Sequence, residues 1–385
     1  MKFKKILCLA LCAVMSCSLL ASCASEEKPY DAADIKIGAH EKAQIAKNVN
    51  KALKTKDFTG GVSIAVNDSV VYSNSFGYAD PVREHKLDGQ TVYNISSMTK
   101  TFTAAAIFLL EKNSKLSRDD TLDKYFDASG KRRYLSTVKV GQLLSDKVSF
   151  GAYAPEIQSN AETAAVLKKY THVANADKNN VKINRYVENY ILDHGIVKDK
   201  NYLTSNYFLL GRIISKVSGT SYSDYVQKNI FDKLGMKNSG FISSKFNFGG
   251  YDLNNKKWHR GSEFPHMFNF GYMYSSYGII SCLDDMTKFY MALIDDTLGI
   301  DLVQKIRLAP SREYCGFKCD GNNLIAGGSV DIYSCYAHLN IQNNESVVII
   351  SNCSGRDDVM TTGEELYTVI SSKVNGIIIS SIKND

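Results

Sequence analysis

Apolar residues recur along this chain in distinct rhythms, and their order predicts a fold. Ile45, Val49 and Leu53 fall on one face of a helix near His40–Lys54. Two short runs follow, Gly61–Val66 and Val70–Phe76, and the intervening Asn67-Asp68-Ser69 marks a hairpin. The pattern then changes. From Thr101 to Glu111 small and apolar residues run on with neither Gly nor Pro, which predicts a buried helix beginning near Ser97. Helical spacing returns at Tyr207–Val217 and Ser221–Leu234, closed by Gly219 and Gly235, and again at Asp284–Ile294. Strand signals reappear at Ile325–Leu339 and Ser346–Ser351, with a turn near Asn343-Asn344, before a closing helix over Gly363–Val374. Strands at both ends with helices between predict an α+β fold in which both ends of the chain build one sheet. The α/β part spans about 40–95 and 280–385, and the inserted, mostly helical part about 96–279.

The first 39 residues read differently. Lys2, Lys4 and Lys5 precede an apolar stretch, Ile6 to Leu20, that is short for a membrane span. It ends in Leu20-Ala21-Ser22-Cys23, similar to a bacterial lipobox. Residues 1–22 are therefore expected to be a signal peptide, 23–39 a lipidated tether and 40–385 the folded domain. Acyl chains on Cys23 would hold the protein at a membrane surface outside the cytoplasm without crossing it.

Composition narrows the partners. The precursor carries +6; without the three N-terminal lysines 43 basic residues face 40 acidic ones, too even a balance for a nucleic-acid partner. Hydrophobic content of 44% and 23 tyrosines support a substantial core. Of nine cysteines, Cys8, Cys12 and Cys17 leave with the signal and Cys23 carries lipid. Cys282, Cys315, Cys319, Cys335 and Cys353 remain, so at least one is unpaired. Cys335 and Cys353 flank the hairpin at Asn343-Asn344 and form a candidate cross-strand disulfide. Neither the cysteines nor the seven histidines have metal-ligand spacing, so no metal or cofactor is expected. The chain has no Gly-x-Ser-x-Gly elbow and no Gly-rich phosphate loop.

Candidate chemistry concentrates in Ser97-Met98-Thr99-Lys100. Residues three apart share a helix face, so the hydroxyl and the amine can meet in one pocket. A serine hydroxyl becomes a strong nucleophile when a neighbouring base takes its proton, and a desolvated amine can do so. The helix N-terminus favours the alkoxide that forms.

Further stretches accompany this pair: Gly60-Gly61-Val62-Ser63-Ile64-Ala65-Val66, Phe76-Gly77-Tyr78-Ala79-Asp80, Asn206-Tyr207-Phe208-Leu209-Leu210-Gly211 and Leu234-Gly235-Met236. Together they resemble the serine β-lactamase and penicillin-binding-protein-like family, particularly its class C and D-Ala-D-Ala carboxypeptidase branch, over about residues 40–375. The resemblance implies a β-lactamase-like antiparallel sheet flanked by helices, with a helical subdomain inserted. It also implies three motifs around one pocket. Ser97-x-x-Lys100 is intact. The second reads Tyr202-Leu203-Thr204, keeping the phenol as a proton relay but placing Thr204 where the family has an amide. A rival register, Thr204-Ser205-Asn206, loses the Tyr, and Asn206 is expected instead to cap the following helix. The third reads Ile325-Ala326-Gly327, without the usual Lys or His. The oxyanion donors implied are the N–H groups of Ser97 and Gly328. Phe268, Phe270, Tyr272, Tyr274 and Tyr277 supply rings either for a substrate groove or for the core.

Two readings follow. The favoured one is an extracytoplasmic serine hydrolase acylated at Ser97 on cell-wall peptides, β-lactams or esters. The other, motivated by Thr204 and Ile325, is a binding-only lipoprotein that takes muropeptides or a protein partner in the same cleft. Oligomeric state is left open.

Overall fold

In the first hairpin the chain turns at Asn67-Asp68, with Asn67 in the left-handed region at φ 55°. Strand β1 (Gly60–Val66) is buried throughout, whereas β2 (Ser69–Phe76) buries only Val71 and Tyr72. The difference follows from position. β1 is interior because on its other side it pairs antiparallel with a strand from near the C-terminus, and β2 is the sheet's edge. This computed structural model describes residues 37–55, 58–80, 84–145, 147–151, 181–197, 204–241, 249–252, 257–260, 274–309, 311–330, 332–354, 363–365, 367–368 and 371.

Among the described residues, β3 (Val92–Asn94), β4 (Gly240–Phe241) and β5 (Ile279–Cys282) form a small antiparallel sheet with β5 in the middle. The main sheet is completed by β6 (Glu313–Tyr314), β7 (Phe317–Asp320), β8 (Asn323–Val330), β9 (Tyr333–Asn340) and β10 (Glu345–Ser351). Its order is β6-β7-β8-β9-β10-β1-β2, all antiparallel, so it draws on both ends of the chain as the hydrophobic pattern predicts. The single apolar run Ile325–Leu339 is in fact two strands, β8 and β9. Its turn escapes detection because it contains Ile332, a buried apolar residue where turns usually carry polar ones.

Helices cover both faces. On one, α1 (Ala39–Thr55) buries Ile45, Val49 and Leu53 and receives the Tyr72 hydroxyl on Asn50 Oδ1 at 2.7 Å. The helical residues around Gly363 and Tyr367 lie on the same face, where Tyr367 stacks on His338 at 3.4 Å. Through the middle runs α2 (Thr99–Lys112), buried from Thr99 to Leu110. It packs between α4 (Thr204–Ser218), named after α3 (Val181–His194), and α5 (Leu283–Ile294). Phe102 stacks on Phe289 of α5 at 3.7 Å, and Leu283 presses against Gly61 of β1. The predicted helix Ser221–Leu234 is split into Tyr222–Val226, a π turn Gln227–Phe231 and Asp232–Leu234. Ser221 caps its start and Gly235 at φ 63° its end.

The proposed disulfide is not formed. None of the five cysteines from Cys282 onward is in a disulfide. The hairpin is present, but Cys335 stands opposite Ile350, and Cys353 lies three positions further on, past the end of β10. The Cys335 thiol instead donates to the Asn94 carbonyl at 3.6 Å. Burial pushes Cys282 and Cys319 up to about 11 and Cys335 higher still, which leaves these thiols unreactive.

Candidate active site

The position of Ser97 is set by a turn, not by the α-helix. Ser96–Met98 form a single 3₁₀ turn, and α2 begins only at Thr99. Ser97 and Lys100 remain three residues apart on continuous helical backbone, so the expected meeting occurs: Lys100 Nζ donates to Ser97 Oγ at 2.9 Å. Ser97 is 9% exposed and Lys100 5%. The amine also donates to the Ser276 carbonyl at 3.4 Å and lies 5.8 Å from the centre of the Tyr207 ring.

Ser276 belongs to a helical turn, Tyr274–Tyr277, that hydroxyls fasten on two sides. Ser276 Oγ donates to the Thr204 carbonyl at 2.8 Å and Ser275 Oγ to the Tyr207 carbonyl at 2.9 Å, both on α4. From α2, Thr103 Oγ1 donates to the Ser275 carbonyl at 2.7 Å. A rigid frame therefore holds the carbonyl that steers Lys100. Gly316 closes the frame on another side. It ends the two-residue turn between β6 and β7, with Cys315 at φ 58° and Gly316 at φ 82°. A Cβ at Gly316 would sit 3.0 Å from Lys100 Cβ and 3.1 Å from Thr101 N.

Gly328 meets the nucleophile on the opposite side. A Cβ there would lie 2.6 Å from Ser97 N, 2.9 Å from Ser97 Cβ and 3.0 Å from Ser96 Oγ, so this backbone approach requires glycine. Thr204 is fully buried as the first residue of α4, one residue removed from Lys100 through Ser276. Its hydroxyl has no hydrogen-bond partner among the described residues. Tyr202 lies outside the described residues, as do Cys23, Phe268, Phe270 and Tyr272. Of the predicted residues, Lys100 and Gly328 are thus each brought against Ser97.

One expectation is corrected, and one open alternative is settled. Asn206 does not cap its helix; it is the third residue of α4 and completely buried. Its amide donates to the Val148 carbonyl at 2.7 Å and accepts from Phe150 N at 3.1 Å, pinning that loop. Tyr274 and Tyr277 are core residues: Tyr274 packs on Tyr222 and Phe208. Ile325 pairs in register with His338, and strand alternation puts it on the face opposite Gly328. His338 does not replace the missing imidazole. It is buried between Tyr367 and Asn323, and burial lowers it to about 4, leaving it neutral. Ser96, Ser276 and Gly316 carry no motif and were not foreseen. Among the described residues no cluster of His, Cys, Asp or Glu is arranged to hold a metal ion.

A serine hydroxyl against a buried lysine amine, on the first turn of a helix under a sheet edge, defines a Ser-x-x-Lys site. The Beta-lactamase family model matches residues 45–315, and the chain belongs to that serine β-lactamase and penicillin-binding-protein-like family. PbpX of Bacillus subtilis (strain 168), named as a penicillin-binding protein, is 25% identical over 340 residues, 84% of this chain and 78% of its own length. Other curated relatives match over only 37–41% of their own length. FmtA from Staphylococcus aureus superposes with a TM-score of 0.66 at 19% identity, covering 86% of this chain and 90% of that one. The D-amino acid amidase from Ochrobactrum anthropi SV3 superposes at 0.65 and 16%, covering 88% and 99%. At such identities these structures establish the fold alone.

Proposed function

We propose that this protein is an extracytoplasmic, lipid-anchored serine hydrolase that acts by acylation of Ser97. The observation that carries the reading is the 2.9 Å contact between Ser97 Oγ and Lys100 Nζ beside Gly328. Across that contact the Lys100 amine, acting as base, takes the hydroxyl proton as the Ser97 Oγ–carbonyl carbon bond forms. The oxyanion is held by the N–H groups of Ser97 and Ser329, not of Gly328 as expected. Gly328 pairs with Cys335 across the β8–β9 hairpin, which turns its N–H toward β9, whereas Ser329 faces the open edge with its carbonyl accepting from Ser96. On collapse the leaving group departs with the proton returned by Lys100, with Tyr202 as relay and Thr204 orienting the ligand. Water then releases the acyl group. Cell-wall peptides bearing D-amino acids, β-lactams and small esters are the substrates proposed, in keeping with a relative named as a penicillin-binding protein and a fold shared with a D-amino acid amidase. Cys23 carries the anchor.

Intact-mass measurement after incubation with penicillin and with activated esters tests the assignment. One acyl adduct, absent in Ser97→Ala, is expected; no adduct, or one that persists in that variant, refutes it. The buried, unpartnered hydroxyl of Thr204 favours a second, binding-only reading. Steady-state hydrolysis that disappears in both Ser97→Ala and Lys100→Ala would exclude that alternative.

A further inference from the structure

Ser96, immediately ahead of the nucleophile, has a conformation and two hydrogen bonds that the Ser-x-x-Lys motif does not require. It is buried and sits at φ 48°, where a residue with a Cβ is strained. Two strands hold it there. Its N–H donates to Asn94 Oδ1 at 2.7 Å, from the end of β3, and its hydroxyl donates to the Ser329 carbonyl at 3.0 Å. Ser329 directly follows Gly328 in β8.

This end of β8 is the less supported one. β7 pairs with β8 only from Asn323 to Ile325, so from Ala326 to Val330 the strand has β9 on one side and no paired strand on the other among the described residues. At the same place the backbones of Gly328 and Ser97 are in near contact, since even a Cβ at residue 328 would fall 2.6 Å from Ser97 N. An edge with one neighbour is free to draw back from such a contact unless something ties it down. Within this stretch, the bond from the Ser96 hydroxyl makes that tie.

We propose that Ser96 is a positioning residue for the oxyanion site: its hydroxyl binds Ser329, next to Gly328 on the strand edge, to the turn carrying Ser97, and so sets the separation of the two backbone N–H donors, those of Ser97 and Ser329. The inference rests on the reading of Ser97 as the acylated nucleophile and adds a residue that acts through Ser329 without touching substrate. Loss of the hydroxyl leaves the Ser97–Lys100 contact in place, because that contact depends on α2 and Ser276. What changes is the far wall of the site. Ground-state binding and proton transfer are preserved while stabilisation of the tetrahedral oxyanion falls.

The test uses the full-length protein and its Ser96→Ala, Ser96→Gly, Ser96→Cys and Ser97→Ala variants, with p-nitrophenyl acetate as the acyl donor and phenylboronic acid as a tetrahedral mimic. A whole oxyanion donor is worth about 10²- to 10³-fold, and partial displacement in Ser96→Ala should slow acylation by about 10-fold or more. Boronate affinity should fall in parallel, with KM for the ester and the pH dependence of acylation unchanged. Glycine relieves the left-handed strain, so Ser96→Gly should melt no lower than Ser96→Ala yet acylate at least as slowly; a purely structural role would make the two properties move together. Ser96→Cys keeps the volume with a weak donor and should fall between wild type and Ser96→Ala, which covers the case in which Ala does not fold. Acylation of Ser96→Ala or Ser96→Cys within about two-fold of wild type, with unchanged boronate affinity, overturns the role of Ser96 and leaves the hydrolase reading intact. A wild-type protein that gains no adduct at Ser97 removes the hydrolase reading itself, and the role of Ser96 with it.

Discussion

Substituting Gly328 by alanine isolates the contact between the strand edge and the nucleophile. The added Cβ would stand 2.6 Å from Ser97 N and 2.9 Å from Ser97 Cβ, against 3.4 Å for ordinary van der Waals contact. The gap must therefore open by about 0.8 Å at the tighter point. Both atoms belong to the backbone or its first carbon, so no side-chain rotation relieves the clash. Overpacking of this kind typically costs about 1–3 kcal/mol of stability. The catalytic effect is larger. A donor poised at about 2.9 Å from an oxyanion and drawn back by about 0.8 Å is no longer within hydrogen-bond range. Most of the contribution of one donor, about 2.7–4 kcal/mol of transition-state stabilisation, is then lost. Acylation by an activated ester, followed by intact mass and by chromophore release, should slow by about 10²-fold or more, and urea unfolding should report the smaller loss of stability. A Gly328→Ala protein that is acylated within a few-fold of wild type would refute both the oxyanion assignment and the contact on which Ser96 is argued to act.

Other outcomes follow from the same geometry. Lys100→Ala should lower acylation about 10²- to 10⁴-fold without abolishing it, since the oxyanion donors remain; a smaller loss would remove Lys100 as the base. Asn206→Ala should cost about 2–4 kcal/mol in urea unfolding, because it leaves the Val148 carbonyl and the Phe150 N–H buried and unpaired; a change below about 1 kcal/mol would show that the loop closes without it. Glu345 is fully buried, and burial raises its carboxyl from 4.5 to about 7, against a smaller lowering by the Asn343 side chain. The folded state therefore holds a proton that the unfolded chain has lost, so this group lowers stability as pH rises from about 4.5 to 7, whereas His338, lowered from 6.5 to about 4, raises it between about 4 and 6.5. Glu345→Gln should accordingly gain on wild type by up to about 1.4 kcal/mol per pH unit between pH 4.5 and 7; a gap independent of pH would mean that Glu345 is ionised in the fold.

Features confined to a short stretch were legible in the sequence. The first hairpin announces itself because Asn67-Asp68 interrupts two apolar runs, and the observed strands begin and end within a residue of the expected ones. The Ser97–Lys100 pair is legible for a related reason: helical geometry alone sets their separation, whichever kind of turn begins the helix. Contacts made by distant residues were not legible. Ser276 reaches Lys100 across 176 positions, through a turn whose serines look ordinary until α2 and α4 close on it. Gly316 is likewise one glycine among 26 until the β6–β7 turn is packed against Lys100. The disulfide failed on register. A hairpin can be read from its turn, but the residue that faces a given cysteine depends on pairing along the whole strand.

The motif departures fall unevenly across the site, and the unevenness has a physical cause. In the proposed mechanism Ser97 and Lys100 exchange a proton, and no backbone group substitutes for either. The oxyanion donors are peptide N–H groups, which persist whatever side chains neighbour them, provided that residue 328 stays small enough to approach. Thr204 stands where the resemblance puts a group that meets the ligand beyond the reacting bond, whereas Ile325 lies on the face of β8 turned away from Ser97. Changes at 204 alter which ligand is held and how well, while the distance from hydroxyl to amine is set elsewhere, by α2 and the Tyr274–Tyr277 turn. Selectivity is thus free to drift at 204 under constraints separate from those on Ser97. A screen of acyl donors that vary in what lies beyond the scissile bond will therefore separate this protein from its relatives more sharply than a comparison of their nucleophiles.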